Sequence, residues 1–435
     1  MKTRTWSRPL AVAMALALTV AVAACGGDDD DASDDGGGGD TAGAPPAVAG
    51  FDGTTIKLGV ITPTSGPVAV IGNPLTAGNK AYFDYVNAEL GGVAGKYKVE
   101  LDIRDSGYDP TKAGQEYASV KGGTVMLAQL LGTPIVNSVL EQLIDDGVMA
   151  APASLDSFWV REPNLLPVGG PYQIQAINAL DWYLTEGDGE GKKVCSLIQD
   201  DPYGEAGQAG LEFAADELDV ELAEPVRFPA PPAPAGDFGS QIDQLKGDGC
   251  EMVFLVATPS STAPAMTKAA QSQFAPQWIG QSPTWIGALG KSALAPYLQA
   301  NFLVASEGPN YGDASVKGMS ELIRIKDTYA PQQEPDVYFN FGYIQAKAVH
   351  ALLEKAVELG DLSHEGILNA SEELGKISFD GLTGDYTYGP AEDRVPPTKS
   401  SIFKVDPASP TGLTLVQADV ESDIAKDFEF VRSGE

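Results

Sequence analysis

The chain has 435 residues, long enough for two domains, and its 60 Asp and Glu against 28 Lys and Arg give a net charge of −32. Such a charge argues against nucleic-acid binding, which needs a basic surface to displace counterions, and against a basic patch on anionic lipid. Its plain meaning is solubility. Neither His350 nor His364 has a cysteine or histidine at ligand spacing, so no metal site and no cofactor are expected.

Lys2, Arg4 and Arg8 form a basic leader, and Leu10 to Ala24 is almost wholly apolar. That run falls short of the roughly 20 residues that span a bilayer. Val22-Ala23-Ala24-Cys25 places small residues before a cleavage point, so residues 1–24 read as a secretory signal peptide. With cysteine directly after it, the segment resembles a bacterial lipobox, in which the Cys25 thiol is lipidated before cleavage. The plainer alternative is an ordinary signal peptide cut near Ala24. Residues 25–52 hold the aspartate clusters Asp28 to Asp31 and Asp34-Asp35 and a glycine run. Too little apolar surface is there to offset the entropy of ordering, and like charges extend the segment, so a disordered tether is expected.

Ile56 to Ile61 is a short apolar run that stops at the turn Pro63 to Pro67. Pro74 to Leu90 then carries Ala77, Ala81, Val86 and Leu90 at helical spacing, Gly91-Gly92 ends it, and Lys98 to Ile103 alternates as a strand does. Asp105 to Pro110 opens the next helix. Strand, helix, strand, helix is a βαβ unit of a parallel sheet.

The turn residues add to this. Ser65-Gly66-Pro67, Asn87 with Gly91-Gly92 and Gly95, and Asp105 with Asp109-Pro110 resemble the amino terminus of the leucine/isoleucine/valine-binding family. Asp201-Pro202-Tyr203-Gly204 is similar to that family's tyrosine-glycine turn, and Phe379 to Gly384 to its late strand-turn motif. The resemblance covers roughly 370 residues, a two-domain length. It implies an α/β fold of two doubly wound parallel-sheet lobes joined by three hinge crossings, the type I periplasmic-binding fold, serving ABC importers. By this analogy residues 53–170 and 311–382 form lobe 1, and residues 171–310 and 383–435 form lobe 2. The crossings fall near 167–172, 306–311 and 382–388, and the helix Val337 to Leu359 returns to lobe 1. Valines 194, 220 and 253 start second-lobe strands, and Pro225 to Gly236 is a loop or an edge.

Apart from Cys25 there are two cysteines, Cys195 in one strand and Cys250 just before another. In an exported chain a disulfide is open to them. Counted from their strand ends they sit about three residues out of register, which strains the ~7 Å limit between bridged Cα atoms. A bridge and two buried free thiols both remain open.

No phosphate-cradling Gly-x-x-x-x-Gly-Lys-Ser/Thr and no Gly-x-Ser-x-Gly elbow occurs, so catalysis is not expected. Binding has better candidates. Gly132-Thr133-Pro134 begins a helix, whose free N–H groups and dipole suit a carboxylate or other electron-rich group. In the resembled family a hydroxyl residue holds the ligand carboxylate here, and Thr133 matches; helix capping is the plainer role. The family adds backbone groups and a threonine at Ala153-Ser154-Leu155, where Leu155 stands in the threonine position. Tyr203 matches a cleft tyrosine, with packing within its own lobe the plainer role, and Ile71 stands where relatives carry a tyrosine.

Ser282 occupies the place of the glutamate that pairs with an amino acid's ammonium. Without a counter-charge that ammonium is disfavoured, so leucine, isoleucine and valine are expected to bind poorly unless Asp156 or Glu307 supplies it. Trp159, Tyr172, Trp285 and Tyr311 fall near the same loops, with ordinary packing as their plainer role. The resemblance thus implies a lipid-anchored, extracytoplasmic, monomeric binder that takes a small polar-headed solute to an ABC permease. The solute it implies is a branched-chain amino acid, an amide or a related organic acid. With Leu155 and Ser282 in place, a neutral or acidic one with an apolar or aromatic body, such as an amide or aryl carboxylate, is expected to fit better. A ligand-sensing receptor of the same fold is the alternative.

Overall fold

The computed structural model describes residues 44–431. The signal segment 1–24, Cys25 and the tether up to residue 43 lie outside the described residues. The last part of the segment read as tether is already folded: Val48 and Phe51 bond to each other through their backbones, and Phe51 is core, 2% exposed. Among the described residues no helix is long and apolar enough to cross a membrane.

In the first lobe, strands β1 (Thr55–Thr62), β2 (Lys98–Asp105), β3 (Leu127–Leu131) and β4 (Ala150–Ala153) form a parallel sheet in the order β2-β1-β3-β4. Every residue of β3 and β4 is buried, as befits strands covered on both faces by helices. Helix α1 (Ala69–Glu89) begins before the expected Pro74 and runs through Gly72 and Pro74. Gly72 serves close packing there, since a Cβ would meet the Pro63 carbonyl oxygen at 2.2 Å. Helices α2 (Pro110–Val120) and α3 (Thr133–Asp146) follow β2 and β3.

The residues that carried the family resemblance turn out to be joints. Asn87 exchanges two 2.8 Å bonds with the Val99 backbone, fixing α1 to β2. Asp105 accepts from the Thr64 and Ser65 amides, the Ser65 hydroxyl and the Lys112 ammonium. Burial raises its pKa, but these partners outweigh it and hold the carboxyl well below the usual range. Asp109 and Asp201 cap the helices that follow them.

The second lobe holds β5 (Val194–Gln199), β6 (Val226–Phe228), β7 (Met252–Val256), β8 (Gln277–Gln281) and β9 (Phe302–Ser306). After a two-stranded piece, β10 (Lys376–Ile377) with β11 (Tyr386–Thr387), the hairpin β12 (Ser400–Val405) and β13 (Leu413–Val420) extends the same sheet. Its order is β13-β12-β9-β8-β7-β5-β6, with β5 to β9 parallel and β12 and β13 antiparallel. The strand expected from Val220 instead starts at Val226 and is the sheet edge, a place that tolerates the prolines after it. Helices α4 (Tyr172–Thr185) and α5 (Pro202–Glu217) pack together on one face.

Chain segments lie side by side where the lobes meet. The Tyr388 hydroxyl donates to the Pro167 carbonyl at 2.7 Å, and the Thr383 hydroxyl to the Glu307 carbonyl at 3.3 Å. The long helix Val337–Leu359 packs on α1. Glycines face each other's backbones there: a Cβ on Gly78 would lie 2.2 Å from the Phe339 oxygen, and one on Gly342 1.9 Å from the Leu75 oxygen.

Cys195 and Cys250 are bridged, with Cα atoms 5.8 Å apart. The register offset is real, since Cys195 pairs with Val253. Yet Cys250 does not prolong β7. The chain turns through Gly249 at φ 73° and the Cys250 amide donates to Leu245, which swings the thiol back toward β5.

Candidate ligand-binding site

The parallel strands of both lobes end at one cavity of about 650 Å³, its mouth included. Strand ends and helix starts are where an open α/β sheet leaves a crevice free. The first lobe brings Ile71 from α1, Thr133 from the start of α3, and Ala153 and Ser154 from the end of β4. The second brings Tyr172 at the start of α4, Tyr203 at the start of α5, and Ser282 after β8.

Thr133 is 1% exposed, and its hydroxyl has no hydrogen-bond partner. The cap position of α3 belongs to Gly132, and no side chain closes that helix. A hydroxyl that does not cap and is buried without a partner carries a desolvation cost that a guest can relieve. Gly132 has φ 108°, and a Cβ would stand 2.5 Å from the Tyr108 ring, so only glycine brings this turn under that ring.

Ser154 accepts a 3.0 Å bond from the Trp159 indole, which leaves its own proton to give. Leu155 lines the cavity as an apolar residue. The Tyr172 and Tyr203 rings meet edge-on with centroids 5.0 Å apart. The Tyr203 hydroxyl reaches the Ala257 carbonyl at 3.4 Å. Tyr203 therefore packs within its own lobe and also faces the cavity.

The two acids that could replace the missing glutamate separate in space. Asp156 is 3% exposed and accepts from the Gln173 amide and the Phe158 backbone, away from this cavity. Glu307, just past β9, lines the cavity itself. Burial pushes its carboxyl up, against opposing bonds from its own backbone, Ser282 and Ser306.

Sequence reading passed over Tyr108, Tyr338 and Phe341, all of which line the cavity. Tyr338 and Phe341 open the long helix behind the Asp336 cap, and Tyr108 sits at φ 62°. An aspartate followed by two aromatics three apart was the available signal for the first two. Trp285 lies deeper, bonded to the Thr411 carbonyl, and Tyr311 is half-buried outside the cavity.

A profile of the periplasmic binding protein family matches residues 55–410. The chain belongs to the periplasmic binding protein family. Among curated relatives of this periplasmic binding protein is the Leu/Ile/Val-binding protein homolog 6 of Brucella suis biovar 1, 28% identical over 270 residues. That match spans 58% of this chain and 66% of the relative, just short of two thirds of its length. The fatty acid ABC transporter substrate-binding protein of Thermomonospora curvata superposes with a TM-score of 0.81 at 26% identity, covering 89% of this chain and 98% of that one. A branched-chain amino acid ABC transporter protein of Thermus thermophilus, solved with bound valine, shares the fold at TM-score 0.72 and 16% identity, covering 86% and 98%.

Proposed function

We propose that this periplasmic binding protein captures one small solute, with an apolar body and a polar head, between its lobes and presents it to an ABC permease. The observation that carries the reading is the shared cavity, to which each lobe supplies only part of the wall. A solute that touches both lobes at once favours the closed arrangement and shifts the population toward it. Ile71 and Leu155 suit the body; Thr133, Ser154 and Ser282 suit the head. The relatives named for Leu/Ile/Val and for fatty acid share an apolar body of variable head, which fits the same division. A lipid on Cys25 would keep the domain at the outer face of the membrane. The family's role is binding, and a micromolar affinity, about 8 kcal/mol, would cover closure and desolvation.

Small-angle scattering tests this on the purified chain, before and after removal of co-purified solute that mass spectrometry identifies. The radius of gyration should rise on removal and fall on return of that solute. A radius indifferent to it would overturn capture by closure.

A further inference from the structure

The polar head can be narrowed from the cavity wall. Glu307 is the one carboxylate among the residues described as lining it, and no Lys, Arg or His stands with it. Its carboxylate meets neutral donors only: the Ser306 hydroxyl at 3.3 Å, the Gln175 amide at 3.5 Å, and the Ser282 hydroxyl. Glu307 is half-buried at the cavity wall. Once a guest fills the cavity, a carboxylate left there without a cation is costly, a cost that falls when the guest brings one.

Beside apolar residues, the same cavity is lined by five aromatic rings: Tyr108, Tyr172, Tyr203, Tyr338 and Phe341. The Tyr203 hydroxyl is committed to the Ala257 carbonyl, and that of Tyr338 to the Pro283 and Trp285 carbonyls at 3.1 and 2.9 Å. A guest therefore meets the ring bodies of these two residues more than their hydroxyls. Aromatic rings attract ammonium ions through their quadrupoles, by about 0.5–2 kcal/mol each. A carboxylate head gains no such attraction, because the rings turn negative faces to it and no cation is among the residues described as lining the cavity.

We propose that this cavity selects a solute carrying an ammonium group, with Glu307 as the residue that binds it among the tyrosine rings. The inference rests on the capture reading of the same cavity. It departs from the neutral or acidic head expected from Leu155 and Ser282, because Glu307 lines the cavity without a cation beside it, and it extends to ammonium ions that are not amino acids.

Titration calorimetry on the purified chain, stripped of co-purified solute, separates the heads by using one apolar body: isoamylamine with ammonium alone, isocaproate with carboxylate alone, and leucine with both. Isoamylamine and leucine should bind at least tenfold more tightly than isocaproate, and Glu307→Gln should weaken both at least tenfold. Isocaproate binding as tightly as the amine to the wild-type chain would overturn the inference while leaving capture intact. So would an unchanged amine affinity in a Glu307→Gln variant that melts like the parent. Failure of all three probes would overturn it too, and capture would then be judged by the scattering measurement alone.

Discussion

Ser282 and Glu307 leave neighbouring parallel strands at the cavity, and the serine hydroxyl donates to the glutamate carboxylate. Gln281 pairs with Ala305, so Ser282 stands level with Ser306 and the acid comes one residue later. The acid thus lies on the strand next to the one where the resembled family carries its glutamate.

Thr133 offers the most direct test of the opposite wall. Its hydroxyl is buried and unpartnered, so Thr133→Val should leave the melting temperature of the solute-free chain unchanged or slightly higher. Binding of the co-purified solute should weaken by about 1–3 kcal/mol, the cost of an acceptor left unsatisfied. Calorimetry and thermal melting of the same preparation read both. Equal affinity in the two proteins would remove Thr133 from the ligand's contacts.

The Cys195–Cys250 bridge joins residues 55 apart in sequence. Restricting a loop of that size in the unfolded chain is worth about 4 kcal/mol in the loop-entropy treatment. Replacing both cysteines with alanine should lower stability by about 2–4 kcal/mol in urea unfolding, with ligand affinity retained, since neither residue lines the cavity. A midpoint within error of the parent's would mean that the bridge adds nothing.

Burial lifts Asp156 to a pKa of about 6, against opposing bonds from Gln173, Phe158 and Ser157, and lifts Asp336 to about 7. Both lie above the unfolded value near 4. Between about pH 4 and 7 the folded chain therefore holds protons that the unfolded chain has released. This contribution to stability is full below about pH 4 and is lost as pH rises through 6 and 7, by up to about 1.4 kcal/mol per unit per group. Asp156→Asn should flatten the lower part of that fall in unfolding curves taken across the range. A parallel decline in both proteins would show that Asp156 does not titrate there.

Cys25 lies outside the described residues, and its role stands on sequence alone. Detergent phase partitioning should place the wild-type chain in the detergent phase, and Cys25→Ser should shift it to the aqueous phase or block its processing. A wild-type chain recovered in water with an unmodified thiol would refute the anchor.

Local chemistry made much of this protein legible in one dimension. The βαβ order showed in the apolar periodicity around Ile56 to Ile103, while Asn87, Asp105, Asp109 and Asp201 stood out through the family resemblance. Asp109 and Asp201 cap the next turn, whereas Asn87 and Asp105 reach Val99 and the Thr64 and Ser65 amides. A helix start is likewise local, which is why Thr133 could be singled out; Tyr203 came from the family resemblance. What tertiary structure alone decided depends on distances between segments far apart in the chain. The bridge between Cys195 and Cys250 needed a turn at Gly249 that strand counting could not supply. Tyr108, Tyr338 and Glu307 enter one cavity because two sheets bring their strand ends together and a helix from late in the chain returns to α1. Telling Glu307 from Asp156 required the same knowledge: Asp156 is buried, Glu307 is half-buried, and only the folded chain shows which of them faces the cavity.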